Sequence, residues 1–297
     1  MPHPEAIRAQ LEDLGDLLSI VRTMKALSAV SIRQYERAVV ALQDYSRTVE
    51  LGLHVVLRSR RAPPARAKER DVTVGALVFG SDHGLCGRFN EDIAAHAHEH
   101  LRAAEPSIER WRILTVGARA TAGLERLGLV VEDELLVPGS ASQIARTIER
   151  LLARIDTWRG DTEPRLHVFH NRPVRGRPYR PTDAELLPID LGRFHRLEES
   201  PWPSKMLPTY RQEPELLLEK LLRQHLFISL FRACAESQAT EHASRLAAMQ
   251  AAERNLSDHI DEITGRFRRA RQEEITAELL DVLSGFESVR GDDDGKR

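Results

Sequence analysis

Apolar residues recur with helical spacing near both ends of the chain. Close to the N-terminus they follow one another in steps of three and four, at Ile7, Leu11, Leu14, Leu18 and Val21. A second series near the C-terminus comprises Met249, Leu256, Ile260, Ile263, Phe267 and Ala270, and it resumes at Ile275, Leu279, Val282 and Phe286. Such steps place apolar side chains on one stripe of a helix, and a sustained series is typical of a coiled coil.

Proline positions indicate how long these helices are. No proline lies between Pro4 and Pro63, and none follows Pro214. Because proline breaks helix interiors, we predict two nearly continuous helices, Glu5–Arg61 and Gln212–Phe286. They would be about 85 and 110 Å long, so each needs a partner, and the simplest partner is the other helix, antiparallel. The alternative is several ordinary helices with breaks at Gly15, Gly52 and Gly265.

The middle of the chain alternates between strand-like and helix-like segments. Strands are predicted at 72–79, 112–116, 135–137 and 166–170, and helices at 90–104, 119–127 and 142–158. This alternation favours an α/β domain with a parallel sheet. The segment Arg58–Arg70 reads as a linker and Asn171–Pro208 as mostly loop. The predicted divisions are 1–66 (N-terminal helix), 70–208 (α/β domain), 209–290 (C-terminal helix) and 291–297 (disordered tail).

Composition excludes several classes of protein. Charged residues make up 30% of the 297 residues and hydrophobic residues 41%, which suits long solvent-facing helices around a real core. The net charge of −2 gives no support to a nucleic-acid-binding protein. Two cysteines are too few for a disulfide scaffold or a four-cysteine zinc site. The chain has no apolar run of about 20 residues and no secretion signal. We therefore expect a protein that lies in the cytosol or on the cytosolic side of an assembly.

The segment 80–90, GSDHGLCGRFN, is the most conspicuous local motif. It lies between a predicted strand and a predicted helix, where glycine-rich turns often hold phosphate. It lacks both the GK[ST] and the G-x-G-x-x-G pattern. Cys86 with His83 could form a reactive thiol site, whereas a buried cysteine is the plainer alternative. The i, i+2 spacing of His96, His98 and His100 does not favour a metal site, since ligands must converge.

Four arginines form a basic cluster near the C-terminus, at Arg266, Arg268, Arg269 and Arg271. The plain interpretation is a solvated helix face, and the functional one is a surface that meets an acidic partner. The stretch Arg271–Glu278 is polar where a buried helix would need apolar residues. This polarity indicates a helix that projects into a partner.

Three further sequence blocks are characteristic: Thr23–Ala29 (TMKALSA), Ser81–Gly87 (SDHGLCG, followed by Asn90) and Glu241–Met249 (EHASRLAAM). Together they resemble conserved blocks of the gamma subunit of F-type ATP synthases. Further matches follow in register at Asn255, Arg271-Gln272, Ile275–Leu279 and Ser284-Gly285. The blocks occur in the family's order and span the whole chain, so their combination is specific.

The resemblance implies a fold and a function. The fold is of the α/β class, with a long antiparallel coiled coil of the N- and C-terminal helices and a central Rossmann-like α/β domain. The function is that of the rotating central stalk, which couples ion flow through the membrane rotor to ATP synthesis or hydrolysis on the alpha3-beta3 ring. Catalytic sites belong to beta, so the chain itself has no catalytic residue, cofactor or metal.

The same resemblance implies partners and contact residues. The partners are the alpha and beta subunits, epsilon and the c-ring of the membrane rotor, with no nucleic acid, at the cytoplasmic face of the bacterial plasma membrane. The implied contacts with beta are Met24, Lys25, Arg266, Arg268, Arg269, Arg271, Gln272, Thr276 and Glu278. The implied structural loop comprises Ser81, Asp82, Gly84, Leu85, Cys86 and Gly87.

Departures from the family pattern indicate a divergent branch, such as the gamma subunit of an alternative bacterial F-type ATPase. The first helix is acidic over Leu11–Asp16 where the family is basic, His83 replaces Arg or Lys, and Arg88 stands where Gly is common. Two other hypotheses remain open at this point. One is an α/β enzyme that binds a phosphorylated ligand at the 80–90 loop, and the other is a coiled-coil adaptor without a rotary role.

Overall fold

A computed structural model describes residues 4–58, 74–104, 111–158, 165–195, 206 and 209–294. The chain divides into two compact units. The helical unit comprises Met1–Ala26 with Ala248–Arg297, and the α/β unit comprises Leu27–Ala247. Helix α1 (Pro4–Arg58) and helix α6 (Pro214–Asp294) contribute residues to both units.

The two long helices are continuous, as the proline pattern predicts. They run through Gly15, Gly52 and Gly265 without interruption, so the alternative of several ordinary helices is wrong. A single glycine costs a helix about 1 kcal/mol, too little to break helices of this length. Helix α6 also includes Gly291–Asp294, where the sequence predicts disorder. Residues 295–297 and most of the predicted linker, 59–70, lie outside the described residues.

In the helical unit, burial follows the predicted apolar stripes. Ile7 and Val21 of α1 are buried, as are Met249 and Ile263 of α6. Ionic contacts connect the same two helices: Arg22 Nε lies 3.0 Å from Glu253 Oε1, and Lys25 Nζ donates to Glu253 Oε2. The Lys25 hydrogen bond, with that of Arg22, lowers the pKa of Glu253.

The elements between α1 and α6 are β1 (Val74–Phe79), α2 (Phe89–Ala104), β2 (Trp111–Val116), α3 (Ala118–Arg126), β3 (Asp133–Leu135), α4 (Ile144–Asp156), β4 (Arg165–Val174), β5 (Arg177–Leu187) and α5 (Gly192–His195). The α/β unit contains a five-stranded sheet in the order β3-β2-β1-β4-β5. The pairs among β1 to β4 are parallel, and β5 is antiparallel to β4. The order 3-2-1-4 is that of doubly wound nucleotide-binding sheets.

The prediction that Asn171–Pro208 is mostly loop is wrong for residues 171–195, and residues 196–205 and 207–208 lie outside the described part of the chain. Strand β4 continues to Val174, a turn at Gly176 with φ of 80° follows, and β5 occupies Arg177–Leu187. The prolines of this segment argue against a central strand, but an edge strand tolerates them because it need not donate every backbone N–H. Strand β3 begins two residues earlier than predicted, at Asp133.

Apolar residues cover both faces of the sheet. One face packs against α2 and α3 through residues such as Ile93 and Leu124. The other packs against α4 and α6 through Ile148, Leu151 and Leu230, with Tyr35 of α1. Helix α6 is therefore part of the core of the α/β unit.

Substitution of Gly75 should destabilise the α/β unit. A Cβ atom at this β1 position would clash with the ring of Trp158, so Gly75→Ala forces the buried indole to move. We expect a loss of about 1–3 kcal/mol, as for other overpacked cores. Thermal unfolding followed by tryptophan fluorescence measures the effect.

The matched control is Gly15→Ala on α1, where no atom lies within 4 Å of an added Cβ. Because alanine favours a helix over glycine by about 1 kcal/mol, this variant should unfold no earlier than the parent chain. Equal melting temperatures for Gly75→Ala and the parent would contradict the close contact with Trp158.

Candidate functional site

Two of the sequence blocks meet in the α/β unit, at what we call the loop–helix junction: Ser81–Gly87 against Glu241–Arg245. Ser244 Oγ donates a hydrogen bond to the backbone oxygen of Cys86 at 2.6 Å. Arg245 Nη2 lies 3.4 Å from the backbone oxygens of both His83 and Gly84. The glycine-rich loop is therefore seated on the side of α6.

The junction lies at the topological switch point of the sheet. Strands β1 and β4 are neighbours, and doubly wound sheets bind ligands in the crevice outside the carboxyl ends of such strands. Here α6 contacts both of these segments. It meets the loop after β1 through Ser244, and it meets β4 through Thr240 Oγ1, which donates to Asn171 O at 3.0 Å. A helix of the same chain therefore borders the switch point.

Hydrogen bonds within the loop hold it in one conformation. Asn90 Oδ1 accepts the backbone N–H of Ser81 at 2.9 Å, and Asn90 Nδ2 donates to Ser81 Oγ at 2.8 Å. Ser81 Oγ in turn donates to His83 O at 2.8 Å. Gly87 adopts a φ of 62°, which favours glycine, whereas Gly84 has no such conformation and an added Cβ there would meet the Arg119 side chain at ordinary contact distance.

Asp82 joins the loop to two further strand ends. Its Oδ1 accepts the backbone N–H of Ala118 at 3.2 Å, and its Oδ2 accepts that of Val137 at 3.0 Å. Ala118 is the first residue of α3, where a carboxylate also interacts favourably with the helix dipole. These contacts give Asp82 a structural role.

Cys86 is a packed thiol. It is 1% exposed, and its Sγ accepts from Asn90 Nδ2 at 3.4 Å. Burial is the largest of the effects that raise the pKa of this thiol. Because the thiolate is the reactive form, a buried thiol with a raised pKa is poorly suited to nucleophilic catalysis. The neighbouring Leu85 has a φ of 63° and an exposed side chain, and no sequence signal indicated this conformation.

A buried charged pair lies beneath the loop. Arg245 Nη1 is 2.7 Å from Glu241 Oε1, and both side chains are almost completely buried. Burial raises the pKa of Glu241 to about 7 even though Arg245 opposes the shift. Next to the pair, the imidazole of His242 stacks on Tyr35 of α1 with centroids 5.7 Å apart, and burial lowers its pKa to about 4.

The sequence indicated the block containing Glu241, His242, Ser244 and Arg245 but gave these residues no individual role. The available signal was the i, i+4 spacing of Glu241 and Arg245. Helical geometry brings such residues together. It could not show that the opposite wall is the 80–90 loop.

The other predicted site residues lie on the last part of α6, in the helical unit. Every side chain from residue 271 to residue 283 is exposed. Within the helix, Arg266 pairs with Glu262, and Thr276 Oγ1 donates to Gln272 O at 2.7 Å. Helical spacing puts Arg269, Gln272 and Thr276 on one stripe and Arg271 with Glu278 on another. Arg268 is exposed as well. These residues do not converge on a common point.

The predicted apolar stripe does not stay covered to its end. Ile275, Leu279 and Val282 are 48%, 66% and 63% exposed, so the expectation that this part packs in a coiled coil is wrong for these three residues. The helical unit contains only Pro4–Ala26 of α1 against Ala248–Asp294 of α6. The shorter helix cannot cover the whole of the longer one.

Met24 and Lys25 also lie in the helical unit, half-buried on α1. Lys25 binds Glu253 of α6, so at least part of its charge acts within the chain. The structure does not bring these two residues into the loop–helix junction.

The described residues offer little to other classes of site. They include no group of three or more His, Cys, Asp or Glu side chains arranged for a metal ion, and no helix among them has the length and apolar character to span a bilayer. His96 and His100, four residues apart on α2, both approach Asp183 of β5, whereas His98 does not share this contact.

Known proteins resemble the chain over its whole length. A family model described as ATP synthase matches residues 4–289. The ATP synthase gamma chain of Bdellovibrio bacteriovorus is 28% identical over 96% of this chain and 98% of its own. That of Geobacter metallireducens is 28% identical over 97% and 99%. A chain of the mitochondrial ATP synthase of Euglena gracilis, solved in an OSCP/F1/c-ring assembly, has a similar fold, with a TM-score of 0.62 at 16% identity over 97% of this chain and 95% of that one.

Glu241 should make the stability of the α/β unit depend on pH. Its folded pKa of about 7 exceeds the ordinary 4.5, so between these values the folded state binds more protons than the unfolded state. Its contribution is therefore fully present below pH 4.5 and is lost as pH rises through 7. Glutamine cannot ionise, so Glu241→Gln should gain stability relative to the parent over this window.

Chemical denaturation of both proteins from pH 4.5 to 7.5 measures this difference. Comparing variant with parent cancels the opposite trend that the lowered pKa of His242 imposes on both. Parallel stability curves would contradict the assignment of a raised pKa to Glu241.

Proposed function

The chain belongs to the gamma-chain family of the F-type ATP synthases, and we propose that it acts as the rotating shaft that couples a membrane rotor to the alpha3-beta3 ring. In this role it has no catalytic residue, and ATP is made or hydrolysed on the beta subunits. The main support is the last part of α6, where residues 271–283 are all exposed, including the apolar Ile275, Leu279 and Val282. Apolar side chains left exposed in this way mark a surface that a partner covers.

We further propose that α1 and α6 wind around each other as an antiparallel coiled coil. Contacts within each unit support this pairing. In the α/β unit, a Cβ at Gly52 of α1 would lie 3.2 Å from Leu221 of α6, and Tyr35 of α1 stacks on His242 of α6. Earlier residues of α1 thus contact later residues of α6, as in an antiparallel pair. In the helical unit, Lys25 binds Glu253. The divisions at 1–66, 70–208 and 209–290 form part of the same proposal.

A rotating shaft must not slip against the domain that it carries. The loop–helix junction connects α6 firmly to the rest of the α/β unit. A twist of α6 acts directly on the loop after β1 through Ser244 and on β4 through Thr240. Displacement of α6 would also break the contacts of Arg245 with the backbone oxygens of His83 and Gly84. We infer that the junction transmits torque between α6 and the sheet.

The exposed charges of α6 are proposed to contact beta. Arg266, Arg268, Arg269 and Arg271 surround the helix instead of lining one face, as suits a helix enclosed by a ring. Gln272, Thr276 and Glu278 would contact the same subunits nearer the end, and Met24 and Lys25 would do so from α1. We propose epsilon and the c-ring as its further partners, at the cytoplasmic face of the bacterial plasma membrane.

Co-expression with the alpha and beta subunits of the same organism tests the function. Size-exclusion chromatography should give a large complex with one copy of the chain, and its ATP hydrolysis should depend on the chain. Co-elution without any effect on turnover would indicate a ring-bound adaptor. Failure to form a complex would overturn the proposal, and a ligand screen would then test the enzyme alternative.

Reversing the charge of Arg271 should weaken the ring complex. We expect Arg271→Glu to lower affinity by about tenfold at low salt, because a basic contact becomes repulsive, and the difference should shrink as salt increases. Titration of the purified ring with labelled chain measures this. Arg126→Glu on α3, an exposed position outside the proposed contact, is the control, and equal losses for both variants would contradict the assignment.

A further inference from the structure

The β4–β5 hairpin displays four arginines that the rotary function does not explain. The arginine hairpin, residues 171–181, contains Arg172, Arg175, Arg177 and Arg180, all exposed. No Asp or Glu occurs between residues 172 and 182, although the whole chain has a net charge of −2. The hairpin is therefore a local concentration of positive charge on a nearly neutral protein.

Neighbouring carboxylates do not compensate this charge. Asp183, next along β5, accepts from His96 at 2.9 Å and also lies 3.5 Å from His100. Asp92 on α2 pairs with Arg88 and accepts from the Tyr179 hydroxyl at 2.8 Å. Within the part of the chain that the structure describes, none of the four hairpin arginines forms an ion pair.

Strand register brings two of the arginines into direct opposition. Arg172 and Arg180 are paired across β4 and β5. Like charges at directly opposite positions of an antiparallel pair repel each other and destabilise it. Arg172 follows His170 by two residues, so it shares the face on which His170 contacts Glu236 of α6. Both arginines thus point to the α6 side of the sheet.

Other contacts hold the hairpin rigidly despite this repulsion. The ring of Tyr179 meets Phe89 edge-on with centroids 5.3 Å apart, and its hydroxyl is bound to Asp92. Asn171 Nδ2 donates to Phe89 O at 3.0 Å, which fixes the base of the hairpin. The hairpin thus holds two repelling arginines on a rigid backbone. A partner that neutralises their charge would bind with little loss of conformational entropy, because the hairpin is already ordered.

We propose that the arginine hairpin binds an acidic segment of another polypeptide in the assembled ATP synthase, an inference that rests on the proposed function. Planar guanidinium groups match carboxylates with two parallel hydrogen bonds, and all four cations are arginine. Anionic lipid would also attract them, but proteins that lie on membranes add apolar anchors. The hairpin has only Val174 and Tyr179 as large apolar residues, and Tyr179 is turned inward against Phe89.

A pair of variants in the complete complex tests this proposal. Arg172→Gln with Arg180→Gln removes the opposed charges, and Arg146→Gln with Arg150→Gln on α4 removes the same net charge from another exposed surface. Native mass spectrometry over a salt series measures retention of the chain in the complex. We expect the hairpin variant to dissociate about tenfold more readily at low salt and the control to match the parent.

Photo-crosslinking identifies the partner. A benzophenone amino acid at position 175 of the full chain, irradiated in the purified membrane-bound complex, should capture a peptide rich in Asp and Glu from another subunit. Cross-links to lipid alone, or to no subunit, would overturn the proposal. So would identical salt dependence of the hairpin variant and the parent.

Folding and assembly controls separate this inference from the function on which it rests. Removal of the Arg172–Arg180 repulsion should leave the melting temperature of the chain unchanged or raise it, so misfolding would not explain a weaker complex. If the parent chain fails to enter the complex, the proposed function itself fails. If the parent assembles and supports ATP turnover while the hairpin variant behaves identically, only the hairpin proposal fails.

Discussion

The position of α6 against the glycine-rich loop and strand β4 is the contact on which the rest of the α/β unit depends. Ser244 donates to Cys86 O in the loop after β1, and Thr240 donates to Asn171 O within β4. Arg245 contacts the backbone oxygens of His83 and Gly84, and its buried ion-pair partner Glu241 lies on the same helix. The helix and the sheet are therefore joined by polar contacts that form only in one relative position.

Continuity of α6 gives this contact a consequence beyond the sheet. The helix that contacts the glycine-rich loop is the same helix whose residues 271–283 are exposed in the helical unit. Backbone hydrogen bonds run unbroken along it, and Gly265 does not interrupt them. Such a helix has no break at which it could twist freely. Torsional continuity of this kind is the mechanical property that a rotor subunit needs.

Local spacing predicted the helices well because it depends on residues close in sequence. The absence of proline gave two long helices, and the apolar steps from Ile7 to Val21 gave their buried stripe. Spacing failed where a distant segment decides the outcome. The prolines near Arg177 suggested a loop, yet they are compatible with an edge strand. Exposure of Ile275 and Leu279 could not be predicted from helical spacing alone, and the contacts of Arg245 with the backbone oxygens of His83 and Gly84 depend on a loop more than 150 residues earlier.

The sheet has the strand order of doubly wound nucleotide-binding folds. Such sheets leave a crevice at their switch point because neighbouring connections run to opposite faces. In an enzyme that crevice holds a ligand. Here the glycine-rich loop at this place contacts Ser244 and Arg245 of a helix of the same chain. The close approach of backbone that lets such a loop bind phosphate also lets it pack closely against a helix.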